Sequence, residues 1–229
     1  MNIGIIGAGH IGSALARKLG AAGHTVRVAN SRGPETLRDL AAETGATPVT
    51  VADAVKGVDV VIVTIPEKNV PDLPADLFAG VPDDVVVLDT GNYYPSRDGR
   101  IAEIDGGMTD SAWVEKTLGR PVVKAFNNIY AASLAERGVP AGTPGRIAHS
   151  VAGDDPRAKR VALEIVEATG FDGIDAGSLA DSWRQQPGTP AYCHDLDRAG
   201  LEAALAQADP AETERCRAEA DELARPYFT

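Results

Sequence analysis

Three glycines at the spacing Gly7-x-Gly9-x-x-Gly12 stand at the start of the chain, and their types and spacing suit a pyrophosphate. Gly7 permits a tight turn from strand to helix, Gly9 lets a phosphate approach the main chain, and Gly12 lets helix and strand pack closely. His10 and Ile11 complete the loop, and the helix that follows aims its free N–H groups at phosphate. Roughly 20 residues further on, an NAD enzyme carries Asp or Glu to accept from the ribose 2′-hydroxyl. This chain has Asn30, Ser31 and Arg32 there. A carboxylate repels a 2′-phosphate, whereas a hydroxyl and a guanidinium fork hold one, so the expected cofactor is NADP. The same turn also caps a helix beginning at Pro34, and the two roles are compatible.

Further candidates fall where apolar runs stop. Thr64, Ile65 and Pro66 end one run and Gly91 and Asn92 follow another; both places suit the nicotinamide and its ribose, with Asn69 facing the same cleft. Asn127, Asn128, Ile129 and Tyr130 end a third run and offer two carboxamides and an aromatic ring to a substrate; paired asparagines equally cap the next helix. An alcohol or ketone substrate needs an acid or base beside the hydride. His24 lies at a strand entry, His10 in the glycine loop, and His149 and His194 have no assigned place. Lys124 is the best alternative acid, against a plain outward-facing role in its strand. This scarcity suits hydride exchange with a flavin-like ring, where the protein need only stack rings and hydrogen-bond the acceptor.

The elements that position these residues alternate. Strands are expected at 2–6, 25–29, 47–50, 59–65, 85–89, 121–126, 146–152 and 171–174, and helices at 13–20, 37–44, 51–57, 75–78, 111–118, 131–137 and 156–169. Residues 96–107 read as a polar connection or lid, and 195–208 and 211–224 as alanine-rich helices. The expectation is an α/β fold: a Rossmann-type, doubly wound, mainly parallel sheet with a short helical C-terminal tail. Residues 1–185 would form the NADP-binding domain with its acceptor pocket, and 186–229 a helical extension of it.

Composition narrows the function classes. A formal charge of −11 over 229 residues, without clustered Lys and Arg, excludes a nucleic-acid surface. No apolar run approaches the roughly 20 residues of a membrane span, so no membrane partner is expected. With the first strand beginning at Asn2 there is no leader, which makes a cytoplasmic location the default. Cys193 and Cys216 lack metal-ligand spacing, so no metal is expected and both thiols should be free. The tail helices offer a face for a homodimer.

Together, residues 7–12, Asn30-Ser31-Arg32, Thr64-Ile65-Pro66, 122–131, 151–155 and 175–179 resemble the NADPH-dependent coenzyme F420 reductase family over most of the first 185 residues. Residues 122–127 are also similar to the oxidoreductase domains of the six-transmembrane-type metalloreductases. The resemblance implies NADPH in the glycine cleft and hydride transfer to F420, FMN or FAD stacked on the nicotinamide. Ser31 and Arg32 would hold the 2′-phosphate, and residues 127–131, with Trp183, would flank the acceptor. Asn69 and Asn127 stand where the family has histidines, and the chain diverges after Trp183. The alternatives are a small-molecule dehydrogenase or imine reductase with Lys124 or Tyr130 supplying the proton, and a non-catalytic NADPH sensor.

Overall fold

The computed structural model describes residues 1–228. In chain order the elements are β1 (Asn2–Ile6), α1 (His10–Ala21), β2 (Thr25–Ala29), α2 (Arg38–Thr44), β3 (Thr47–Pro48), α3 (Val51–Ala54), β4 (Val60–Val63) and β5 (Val86–Asp89). They continue with α4 (Pro95–Asp98), α5 (Ala102–Asp105), α6 (Asp110–Leu118), β6 (Val123–Lys124), α7 (Ala131–Glu136), β7 (Ala148–Val151), α8 (Pro156–Ala168), β8 (Asp172–Asp175), α9 (Arg198–Gln207) and α10 (Thr213–Ala224).

Six parallel strands form the main sheet in the order β3-β2-β1-β4-β5-β6. Its central strands are unbroken Val/Ile/Leu runs because both faces are covered. Val28, Ile5, Ile62, Leu88 and Val123 lie in one lateral row and pack with Leu15 and Leu19 of α1 and Ile165 and Val166 of α8. Alternate residues, Ile6, Val61, Val63 and Val87, point to the other face and pack against Ala54, Val55, Trp113 and Val114. This is a Rossmann-like α/β fold with a helical C-terminal region, as the alternation predicts. No helix among the described residues is long and apolar enough to cross a membrane.

Three places differ from expectation. β6 keeps only two of the six residues expected at 121–126, because Phe126 adopts φ 60° and turns the chain out of the sheet. β7 and β8 pair in parallel with each other rather than extending the main sheet, and they meet β6 through one antiparallel bridge, Lys124 to Ala152. Residues 75–78 form no helix: they follow Pro74 and run through successive turns, Leu77 N–H to Pro74 and Ala79 N–H to Asp76, into Gly80 at φ 76°. The polar stretch 96–107 is partly helical, holding most of α4 and all of α5.

Candidate active site

The glycine loop runs from the end of β1 into α1. The Gly7 N–H donates to the Ala29 carbonyl at 2.8 Å, and a Cβ on Gly7 would lie 2.1 Å from the Thr64 carbonyl oxygen. A Cβ on Gly12 would lie 2.0 Å from the Gly7 oxygen, whereas one on Gly9 meets nothing within 4 Å. Gly7 and Gly12 are therefore demanded by the protein's own packing. Gly9 alone faces open space, which is the arrangement a pyrophosphate needs. The first α-helical bond runs from Ser13 N–H to Gly9, so the main-chain N–H groups of His10, Ile11 and Gly12 in the first turn have no earlier helical carbonyl.

At the end of β2, the Asn30 side chain shapes the turn. Its Oδ1 accepts the Arg32 N–H at 3.0 Å and its Nδ2 donates to Thr36 Oγ1 at 2.9 Å. Ser31 and Arg32 stay exposed, and Arg32 makes no ion pair among the described residues. A cation held in place by a fixed turn without an acidic partner fits a 2′-phosphate.

From the loop a cleft of about 850 Å³ runs along the carboxyl ends of β1, β4, β5 and β6. Gly9, His10, Ile11, Thr64, Ile65, Pro66, Gly91 and Asn92 line it at the cofactor side. Phe126, Asn127, Ile129 and Tyr130 line the opposite wall, and Cys216, Ala220 and Leu223 of α10 roof it. Phe126 and Cys193 have positive φ, 60° and 53°, without being glycines, and both line this cleft. Strain of that kind concentrates at functional sites.

The structure engages several candidates differently from the sequence expectation. Asn127 is buried with both N–H bonds committed, to Asn92 Oδ1 at 3.0 Å and the Gln185 carbonyl at 2.6 Å, while its Oδ1 accepts from Gln185 Nε2 at 2.8 Å. It holds the β5 edge against residue 185 instead of presenting a free donor. Asn128 does not line the cleft; its Nδ2 donates to the Ala191 carbonyl at 3.3 Å. Lys124 is fully buried beneath the floor, where its Nζ donates to the Gly91 carbonyl at 3.1 Å and Ser111 Oγ at 3.0 Å. It braces the Gly91 main chain and does not face the cleft. Asn69 turns to Asp72 at 3.2 Å. Trp183 lines a separate cavity of about 490 Å³ on the other flank of α10.

Beneath the floor lies a buried charge cluster. Asp89 accepts from Ser111 Oγ at 2.6 Å and the Gly91 N–H at 2.9 Å. Glu67 pairs with Arg97 at 3.0 Å through one oxygen, and its other oxygen has no partner. Burial, with repulsion from Asp89 and Asp110, holds the Glu67 carboxyl well above the usual range. His149, between Phe126 and Phe171, is fully buried with neither ring nitrogen bonded, and burial pushes it down to about 3.

Sequence reasoning missed the roof and one wall. Tyr94 and Tyr192 lie in the cleft with their hydroxyls 2.5 Å apart. The ligand-edge position of the stretch after β5 pointed toward Tyr94. Tyr192 and α10 carried no comparable signal, because they reach the cleft only through long-range packing. Asp221 of α10 accepts from the Ser96 N–H at 2.9 Å and Ser96 Oγ at 2.7 Å, and Phe228 stacks at 5.1 Å on Tyr94.

Residues 2–93 match the family described as NADP oxidoreductase, coenzyme F420-dependent. The chain belongs to this family. As a member it is an NADP-dependent oxidoreductase, and the glycine loop and the Arg32 turn fit that cofactor. A hypothetical protein from Sinorhizobium meliloti, SMa0349, is 34% identical with TM-score 0.72, the match covering 86% of this chain and 96% of that one. A structure from Arthrobacter sp. FB24, named for F420-dependent NADP reduction, is 22% identical with TM-score 0.62 over 80% of this chain and 86% of its own, a likeness of fold. YjhV of Escherichia coli K12 is 47% identical over 87 residues, which are 38% of this chain and 56% of that relative's length.

Proposed function

We propose that this protein transfers a hydride between NADP(H) and a flat deazaflavin or flavin-type ring, with F420, FMN and FAD as the candidate acceptors. The observation that carries the reading is the rim of the cleft. Tyr130, Leu223 and Tyr227 are 61%, 77% and 85% exposed, and all three line this one opening. Large apolar side chains gathered around a concave site mark a binding surface, and a planar ring laid between them takes them out of water.

NADPH supplies the hydride when bound. The chain's residues do the rest. The α1 N-terminus and Gly9 hold the pyrophosphate, Ser31 and Arg32 the 2′-phosphate, and Thr64 to Pro66 border the nicotinamide ribose. Lys124 and Asn127 act from behind, fixing the Gly91–Asn92 edge on which the ring rests. The α10 roof excludes water from the far side. The residues around the cleft come from one chain, so a homodimer, if formed, would leave this roof in place.

The test is to follow NADPH absorbance with F420, FMN, FAD and ferric chelates offered separately. Rapid oxidation with F420 or one flavin supports the proposal. Oxidation only by a small ketone or imine favours the second reading, a small-molecule reductase, which the Tyr94–Tyr192 hydroxyl pair supports. NADPH binding without oxidation by any acceptor would leave a sensor.

A further inference from the structure

Tyr94 and Tyr192 stand 98 residues apart in the chain, yet their hydroxyls meet at 2.5 Å in the cleft wall. Tyr192 also shares a hydrogen bond with Cys193 Sγ. We propose that this pair is the catalytic proton donor of the cleft: one hydroxyl protonates the acceptor atom that turns negative as hydride arrives, and the other replaces that proton.

Three observations carry the assignment. Tyr94 follows β5 by a few residues, and Tyr192 faces it from the loop beside α10, so the pair lies at the acceptor end and away from the glycine loop. Two hydroxyls hold two protons, and their mutual bond uses one, which leaves a donor for a third partner. The other ionisable groups of the cleft are poorly placed for the task. His10 belongs to the phosphate loop, and Glu219 is paired with Arg215 at 2.6 Å. Arg97 keeps its proton, and burial raises the Cys193 thiol to about 12. Lys124, Glu67 and His149 are buried outside the cleft lining.

Burial likewise raises Tyr94 to about 12, so it is protonated at neutral pH and available as an acid. The Arg97 guanidinium lies 5.3 Å from the Tyr94 ring centroid and favours the phenolate that forms. The balance is simple. The acceptor gains two electrons and one hydrogen with the hydride, leaving one negative charge on its nitrogen or oxygen. The tyrosine O–H bond breaks as the new N–H or O–H bond forms, the partner hydroxyl passes its hydrogen to the phenolate, and water restores the partner. The inference rests on hydride transfer in this cleft but not on which acceptor is reduced.

Tyr94→Phe and Tyr192→Phe keep the rings and their stacking while removing the protons. Each should slow turnover about 100-fold, the scale of general-acid catalysis, and the double variant should be little worse than the poorer single one. NADPH affinity, read by fluorescence, should stay within about twofold of the wild type. Binding of oxidised FMN or F420 to the NADP-loaded protein should weaken about threefold to tenfold, as loss of one hydrogen bond requires. Variants that turn over at the wild-type rate, or that bind acceptor unchanged, overturn the proposal. Wild-type protein that reduces only a carbonyl or imine would sink the flavin reading, while a 100-fold loss on that substrate in either variant would uphold the proton donor. Absence of turnover with every acceptor sinks both.

Discussion

The two sides of the cleft are built on different principles. The cofactor side is main chain: a glycine loop, a helix N-terminus and the ends of β1, β2, β4 and β5. The acceptor side is side chain, with Phe126, Asn127, Tyr130, Tyr192 and Cys193 set against α10. Among the described residues, every buried polar atom without a partner belongs to residues 128–217, except Glu67 Oε1. A backbone cradle satisfies its own hydrogen bonds and tolerates sequence drift around it, whereas a wall of side chains must be tuned to its ligand. The family match follows the same line, ending at residue 93, one position before Tyr94.

The contrast can be broken or sharpened by mutation. Gly12→Ala forces a methyl into the Gly7 carbonyl and should cost about 1–3 kcal/mol of stability along with NADPH binding. Gly9→Ala meets no protein atom, so it should leave the thermal midpoint without cofactor unchanged and weaken only NADPH. If Gly9→Ala lowered the midpoint as much as Gly12→Ala does, the division between packing and ligand glycines would fail. Arg32→Ala should weaken NADPH by about 2 kcal/mol, the worth of a charge-assisted hydrogen bond, and leave NADH untouched. Titrations of the two cofactors decide it.

On the acceptor side, His149 is held neutral in the fold, while the unfolded chain protonates it below about pH 6.5. The unfolded state therefore binds more protons, and this contribution falls by about 1.4 kcal/mol per unit from pH 6.5 toward pH 3. Glu67 and Asp110 act oppositely, since raised carboxyls gain stability on acidification. Comparison with His149→Leu isolates the histidine. Urea unfolding at pH 7 and pH 5 should show the wild type losing about 2 kcal/mol relative to the variant. Equal pH slopes would mean that His149 finds a partner. The smallest effect is expected from Ser96→Ala, which removes one bond to Asp221 and loosens the roof. It should weaken acceptor binding by about 1 kcal/mol and spare NADPH, as paired titrations would show.

What could be read in advance follows from the same division. Gly7, Gly9 and Gly12, the Asn30–Arg32 turn and the apolar runs of β1, β4 and β5 are local patterns, and each specifies its conformation within a few residues. They determined the fold class, the NADP preference and one side of the cleft. Residues 121–126 read as a strand on their apolar content, but the positive φ of Phe126 is a tertiary constraint that no pattern displays. Lys124 was open between acid and bystander. Only the fold shows it buried under Gly91, because the partners that neutralise its desolvation come from β5 and α6. The meeting of Tyr94 with Tyr192, and the closing of α10 over both, depends on contacts spanning about half the chain. Such contacts are set by packing free energy summed over many residues, and for that reason tertiary structure alone decided the acceptor side.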